Sequence, residues 1–273
     1  ITLCACTLIK LSVITLFMDL FQMLVLGALQ GVFEWLPVSS KGQIMALAMS
    51  FFKLNAETSL RYAVMLHLGT LLSAVFYFRT ELKELFLLKN RPLLKFLAIA
   101  VFATGITAVP CYMLLKILII NYNASSFIFL IGFLLIITGF LQLKKQSKLK
   151  GSISTQNAII LGLAQGFSAL PGISRSGITT SALLLRGFQP EQAFRLSFLL
   201  SIPSILIAVV AFSVLEPVAF DLNAIFAMLI AFALGLLLID ILIKAARKIN
   251  FSIFCIAFGI IYMAIAMLEL IGS

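Results

Sequence analysis

Apolar residues run along this chain in long blocks, and the polar positions gather between the blocks. Uninterrupted stretches at about residues 60–78, 92–118, 126–143, 194–212, 220–241 and 251–271 each approach the ~20 residues that a helix needs to cross a bilayer. They predict six transmembrane helices. Two further stretches, 20–57 and 153–190, are also apolar but are interrupted midway by Pro, Gly and Ser, so each predicts two short helices folded as a re-entrant hairpin. Irregular backbone is tolerated at membrane depth only where protein or a water-filled cavity satisfies its polar groups. The two breaks are therefore expected to meet in one protected site.

The broken stretches also correspond to each other. When LGALQGVFEWLPVSSKG (26–42) is set above LGLAQGFSALPGISRSG (161–177), Leu26, Gly27, Gln30, Gly31, Ser39 and Gly42 fall without a gap on Leu161, Gly162, Gln165, Gly166, Ser174 and Gly177. The spans that follow, RYAVMLHLGTLLSAV (61–75) and RLSFLLSIPSILIAV (195–209), continue the correspondence with a one-residue shift. Basic residues cluster at 79–95, 143–150 and 244–248, which places these loops in the cytoplasm and the loops at 119–125 and 213–221 outside. The corresponding spans then run in opposite directions, as in an inverted-topology repeat whose broken helices frame a site near the midplane. The expected fold is an all-α integral membrane protein: a single membrane domain, residues 18–273, made of two inverted repeats at about 20–143 and 153–271. The first 17 residues read as an uncleaved apolar extension.

Composition supports the membrane class. The chain is 62% hydrophobic, only 11% charged and has a mean hydropathy of +1.17, far from the ~25% charged residues of soluble domains. Long apolar runs exclude a barrel, whose strands alternate. The net charge is +10 and the basic residues are grouped, mostly in short clusters beside the spans, which suits anionic lipid heads and not nucleic acid. Cys4, Cys6, Cys111 and Cys255 are scattered without a CxxC or metal spacing and read as plain buried thiols.

The candidate chemistry lies at the breaks. Gln30 and Glu34 stand four apart on one helix face that Pro37 ends, and Ser39 and Ser40 follow where a helix N-cap is expected. The second break repeats the device with Ser174, Arg175 and Ser176 ahead of a helix through Thr179, and the Arg175 guanidinium offers a planar fork suited to phosphate. Serines and threonines in membrane helices more often serve close packing. Glu34 and Arg175 differ, because a charge at the centre of a membrane helix costs about 2.5–3.5 kcal/mol and is usually kept for function. A structural ion pair between them is the competing reading. His67, the single histidine, is a second-tier candidate within its span. Lys41 is either a snorkelling lysine or another phosphate contact.

Together QGVFEWLPVSSKGQ (30–43) and PGISRSGIT (171–179) resemble the undecaprenyl pyrophosphate phosphatase family of the bacitracin-resistance type, and the similarity extends over about residues 20–271 through HLGTLLSAVFYF and FRLSFLLSIPS. The resemblance implies a multi-pass plasma-membrane enzyme with its site facing outward. It would hydrolyse a long-chain polyprenyl diphosphate to the monophosphate, recycling a lipid carrier, with a divalent cation, Mg2+ or Ca2+, that Glu34 would help to hold. By motif, Gln30 and Glu34 fall on the acidic pair, Ser39 and Ser40 on its serines, and Ser174, Arg175, Ser176 and Thr179 on the phosphate-binding segment. Glu34, Ser40 and Arg175 are then the expected catalytic groups, with Lys41 and Gln43 beside them as substrate contacts. The family usually reads SSTGH where this chain reads SSKGQ, so Lys41 and Gln43 stand in place of a threonine and a histidine that takes part in catalysis. Phosphoryl transfer could use Ser40 as nucleophile with Glu34 as its base, or water activated by Glu34. A homodimer is compatible with these features. A transporter or lipid-phosphate flippase on the same repeat is the alternative.

Overall fold

The structure, a computed structural model, describes residues 20–143, 150–215, 222–245 and 251–271. The extension 1–17 with Cys4 and Cys6, and much of the loops near 147, 216 and 246, lie outside the described residues. The described chain is helical and has no strand.

In chain order the helices are α1 (Leu20–Phe33), α2 (Ser40–Ser50), α3 (Ala56–Tyr77), α4 (Arg79–Phe86), α5 (Arg91–Asn121), α6 (Ala124–Gln142), α7 (Thr155–Gly166), α8 (Arg175–Leu185), α9 (Pro190–Leu215), α10 (Leu222–Ala245) and α11 (Phe251–Ile271). Six of them, α3, α5, α6, α9, α10 and α11, are long and apolar enough to cross a membrane, and they fall on the six stretches read from hydropathy. Each predicted broken stretch is a pair of shorter helices, α1 with α2 and α7 with α8. The basic segment 79–95 is more ordered than a plain loop, because α4 and the start of α5 occupy most of it and Glu81 pairs with Arg195 of α9.

Local chemistry sets the starts of these helices. Asn55, Asn90, Asn123, Ser154 and Ser174 each accept a hydrogen bond from a backbone N–H in the first turn of the helix that follows, and Ser39 does the same for α2. Pro110 and Pro203 lie inside α5 and α9, as membrane helices allow.

The broken helices pack crosswise. A Cβ at Gly27 of α1 would run into the Ala227 carbonyl oxygen of α10, and one at Gly31 would stand 2.9 Å from that of Ala231. The corresponding glycines of α7 meet α5 in the same way: a Cβ at Gly162 would run into the Ala100 carbonyl oxygen, and one at Gly166 would run into the Thr107 hydroxyl. Only glycine permits these approaches, and small residues are how membrane helices come close. The first broken helix thus leans on a late span and the second on an early one. That brings the two interruptions to the middle of the bundle.

Candidate active site

The two interruptions touch directly. Ser39 adopts φ 60 and ψ 80, a left-handed conformation that is costly for a residue with a side chain. Its hydroxyl accepts from the N–H of Gly42, 3.3 Å away in its own break, and from that of Gly172, 3.1 Å away in the other. The Ser176 hydroxyl returns the contact by donating to the Leu36 carbonyl at 2.9 Å. Ser174 caps α8 through the Gly177 N–H at 3.1 Å and lies 3.3 Å from the Ser176 hydroxyl. Two helix N-termini with their free N–H groups therefore converge, an arrangement that favours an anion.

Glu34 is the hub. Its backbone N–H still bonds the Gln30 carbonyl at 3.0 Å, so the last turn of α1 carries both side chains on one face. One carboxylate oxygen accepts from the Arg175 guanidinium at 2.7 Å. The other accepts from the Ser40 hydroxyl at 2.6 Å and from the Gln30 amide at 3.0 Å, with His67 Nε2 at 3.3 Å. Arg175 also donates to the Ser197 carbonyl at 3.2 Å and lies over the Trp35 ring at 5.8 Å. These two charged side chains are 3% and 13% exposed, so their attraction is little screened by water. His67 is fixed from its other side by the Ala63 carbonyl, 2.5 Å from Nδ1.

A cavity of about 180 Å3 opens over this cluster. Glu34, Ser39, Ser40, Lys41 and His67 line it from the first half, and Ser174, Arg175 and Ser176 from the second. Thr104, Gln165 and Ser204 complete its polar wall. Gln165 donates to the Thr104 and Ser204 hydroxyls at 2.9 and 2.8 Å, and its own amide oxygen has no partner among the described residues. Gln30 repeats the pattern, bonding Thr70 at 3.1 Å with its amide oxygen likewise unpartnered. Thr70 and Ser204 correspond in the internal alignment as Gln30 and Gln165 do.

The chain matches known proteins over nearly all of its length. The family described as bacitracin resistance protein BacA matches residues 23–261. A protein of Methanococcoides burtonii named undecaprenyl-diphosphatase is 39% identical over 258 residues, which covers 89% of this chain and 97% of that protein. Proteins of the same name from Methanothrix thermoacetophila and Sulfurisphaera tokodaii are 39% and 34% identical, over 92% and 93% of this chain and 98% and 100% of theirs. This chain belongs to the BacA family.

Of the family-derived site residues, Glu34, Ser40 and Arg175 come together with His67, which the sequence placed in a second tier because a lone histidine within a span is more often structural than catalytic. Lys41 lines the cavity, yet it donates to the Ser168 and Ala169 carbonyls at 3.1 and 2.5 Å and so pins α2 to the turn ahead of the second break. Gln43 does not reach the cavity. Its amide donates to the Val38 carbonyl at 3.2 Å and accepts from the Tyr262 hydroxyl of α11. Thr179 also stays behind the cavity lining, bonded to the Arg175 carbonyl at 2.7 Å and the Ser197 hydroxyl at 2.6 Å. Gln30 sits behind Glu34 and orients it. The sequence reading missed Thr104, Gln165 and Ser204 as cavity residues, although the match of Gln165 with Gln30 was the signal that could have raised them.

Among the described residues no three His, Cys, Asp or Glu side chains gather to hold a metal. Mg2+ is commonly bound by one or two carboxylates together with substrate phosphates, whereas an all-protein cage needs more oxygen ligands than this cavity offers. The donor set therefore does not fit a cation held by protein alone; Glu34 is the one carboxylate lining the cavity, and its two oxygens are taken by Arg175 and by Ser40 and Gln30.

Proposed function

We propose that this chain is a membrane phosphatase that removes the terminal phosphate from a long-chain polyprenyl diphosphate, undecaprenyl diphosphate being the substrate for which its relatives are named. The observation that carries the reading is the Ser40–Glu34–Arg175 contact, a hydroxyl and a guanidinium on the two oxygens of one buried carboxylate at the floor of a cavity. Arg175 retains donors beyond those spent on Glu34 and Ser197, and with the N-termini of α2 and α8 it supplies positive potential for a diphosphate. A plain structural ion pair would need neither the strained Ser39 cap nor the convergent serines.

In the mechanism this geometry favours, the Ser40 oxygen bonds to the terminal phosphorus while its proton passes to Glu34. The bond from that phosphorus to the bridging oxygen breaks, and its electron pair leaves with the lipid monophosphate. Water then attacks the phosphoserine, inorganic phosphate departs, and Ser40 recovers a proton. His67, anchored through Nδ1–H on the Ala63 carbonyl, stands with Nε2 3.3 Å from the same Glu34 carboxylate oxygen and, as the imidazolium, would hold it toward Ser40. A bound divalent cation would neutralise charge developing on the phosphate oxygens.

The crosswise packing and the paired Gln–hydroxyl contacts support the inverted-repeat reading, in which each broken pair enters and leaves on its own side of the plasma membrane; a site that faces outward is what the family resemblance implies. The test is release of inorganic phosphate from long-chain polyprenyl diphosphate by the purified chain in detergent, with and without EDTA. Phosphate release that stops with EDTA is the expected result; an intact diphosphate after prolonged incubation would overturn the reading.

A further inference from the structure

The substrate proposed above has a head that the cavity can hold and a tail that it cannot. A volume of about 180 Å3 is smaller than the ~300–1,000 Å3 of pockets that enclose drug-sized ligands, so a diphosphate fits and a long isoprenoid must leave. Where it leaves is visible in the lining. Of the residues that border the cavity, Ala208 of α9 alone is exposed; Ala108 of α5, half-buried like several other lining residues, borders it as well. Around Ala208 the surface of α9 is apolar, with Leu206, Ile207 and Val210 all at least half exposed, and Ile106 and Val109 of α5 are equally bare.

This mouth lies within the membrane-crossing part of both helices. Ala208 is roughly 10 Å inside the end of α9 and Ala108 roughly 20 Å inside the end of α5, at 1.5 Å per residue. The Tyr112 and Phe212 rings, one turn further along each helix, bring α5 and α9 together with centroids 6.4 Å apart. On the other side of Ala108, a Cβ at Gly105 would meet nothing within 4 Å, so α5 presents low relief along this face. The polar wall of Thr104 and Ser204 stands one turn deeper on the same two helices. The walls thus grade from hydroxyls to bare methyl groups and then to exposed aliphatic side chains, the sequence of environments that a diphosphate joined to a hydrocarbon requires.

We infer that the opening between α5 and α9 at Ala108 and Ala208 is the subsite for the first isoprene units of the lipid tail, with the head entering sideways from the bilayer. This rests on the phosphatase reading and names where the same site takes up the lipid tail. Alanine at both lips leaves room for a chain, and a phenylalanine at either would fill it.

The test compares a C55 polyprenyl diphosphate with the short methyl diphosphate, which carries no isoprene unit, in the same detergent, as kcat/KM for wild type, Ala208→Phe and Ala108→Phe. The expected result is a fall on the order of ten-fold in the long-to-short ratio, the scale set by a few methylene groups that no longer find an apolar wall. An unchanged ratio in both variants would overturn the inference. A second measurement does not depend on a bulky substitution folding well. In an otherwise cysteine-free chain, Ala208→Cys should react with a lipophilic maleimide and be protected by C55 monophosphate but not by inorganic phosphate. Protection by neither ligand, or by both equally, would also overturn it. Failure of wild type to release phosphate from either diphosphate would remove the phosphatase reading and this subsite with it. Wild-type activity with an unchanged ratio would remove the subsite alone.

Discussion

Replacing Glu34 with glutamine separates the catalytic reading from the structural ion pair. The amide keeps the size of the side chain but can present an acceptor on one side only. If its oxygen faces Ser40 and Gln30, its NH2 group meets the Arg175 guanidinium where an oxygen stood 2.7 Å away, donor against donor. If it is turned over, the NH2 group meets the Ser40 hydroxyl and the Gln30 amide instead. Either way Arg175, with its side chain only 13% exposed, loses its counter-charge. Breaking a buried pair in this manner costs about 3–5 kcal/mol. The lower end applies here, because Arg175 retains the Ser197 carbonyl at 3.2 Å and borders the cavity. Glu34→Gln is thus expected to lower resistance to thermal unfolding in detergent by roughly 3 kcal/mol, and Arg175→Gln by a similar amount. The double variant should be nearly as stable as either single one, a coupling of roughly 3 kcal/mol. Turnover should behave differently: loss of the base and of the phosphate clamp should lower kcat by at least ~100-fold in each single variant, with no recovery in the double. Stability and turnover recovering together in the double variant would refute the catalytic assignment and leave a structural pair.

Three further outcomes are expected. Lys41→Thr should lower Tm because it frees the Ser168 and Ala169 carbonyls, whereas Gln43→His should not raise kcat, since that side chain faces Tyr262 and not the cavity; a clear gain from Gln43→His would contradict the geometry. Gly162→Ala should cost about 1–3 kcal/mol by forcing α7 from α5, while Gly105→Ala, with open space at its Cβ, should be neutral or slightly stabilising; equal effects at the two positions would count against the close packing. With the four native cysteines removed, Lys89→Cys and Tyr122→Cys, both exposed and at opposite ends of α5, should label from opposite sides of the membrane with an impermeant reagent, and labelling from one side would exclude α5 as a span.

Much of the architecture was readable because the bilayer imposes it. A span must be long and apolar, so hydropathy located α3, α5, α6, α9, α10 and α11, and Pro, Gly and Ser marked the places where α1 and α7 stop. The capping serines were readable for the same reason, since a short polar residue ahead of an apolar helix has few other uses. Side-chain direction was not. Lys41 and Gln43 lie one and three residues past Ser40, but a helix turns about 100° per residue, so neighbours in the motif point to different partners. Gln43 therefore meets Tyr262, and Lys41 meets the turn at Ser168. His67 reaches Glu34 only because α3 packs beside the first break, a tertiary fact with no local mark in the sequence. The glycines at 27, 31, 162 and 166 appeared as a repeat; the packing shows what each is for.

The most direct measurement follows both products of C55 polyprenyl diphosphate by phosphorus NMR, with purified wild type and Arg175→Ala side by side in detergent and a divalent cation present. The expected result for wild type is one inorganic phosphate and one lipid monophosphate per diphosphate consumed, with Arg175→Ala folded but at least ~100-fold slower. Equal conversion by the two proteins, or a lipid diphosphate left intact by wild type, would contradict the assignment of this cavity as a phosphatase site.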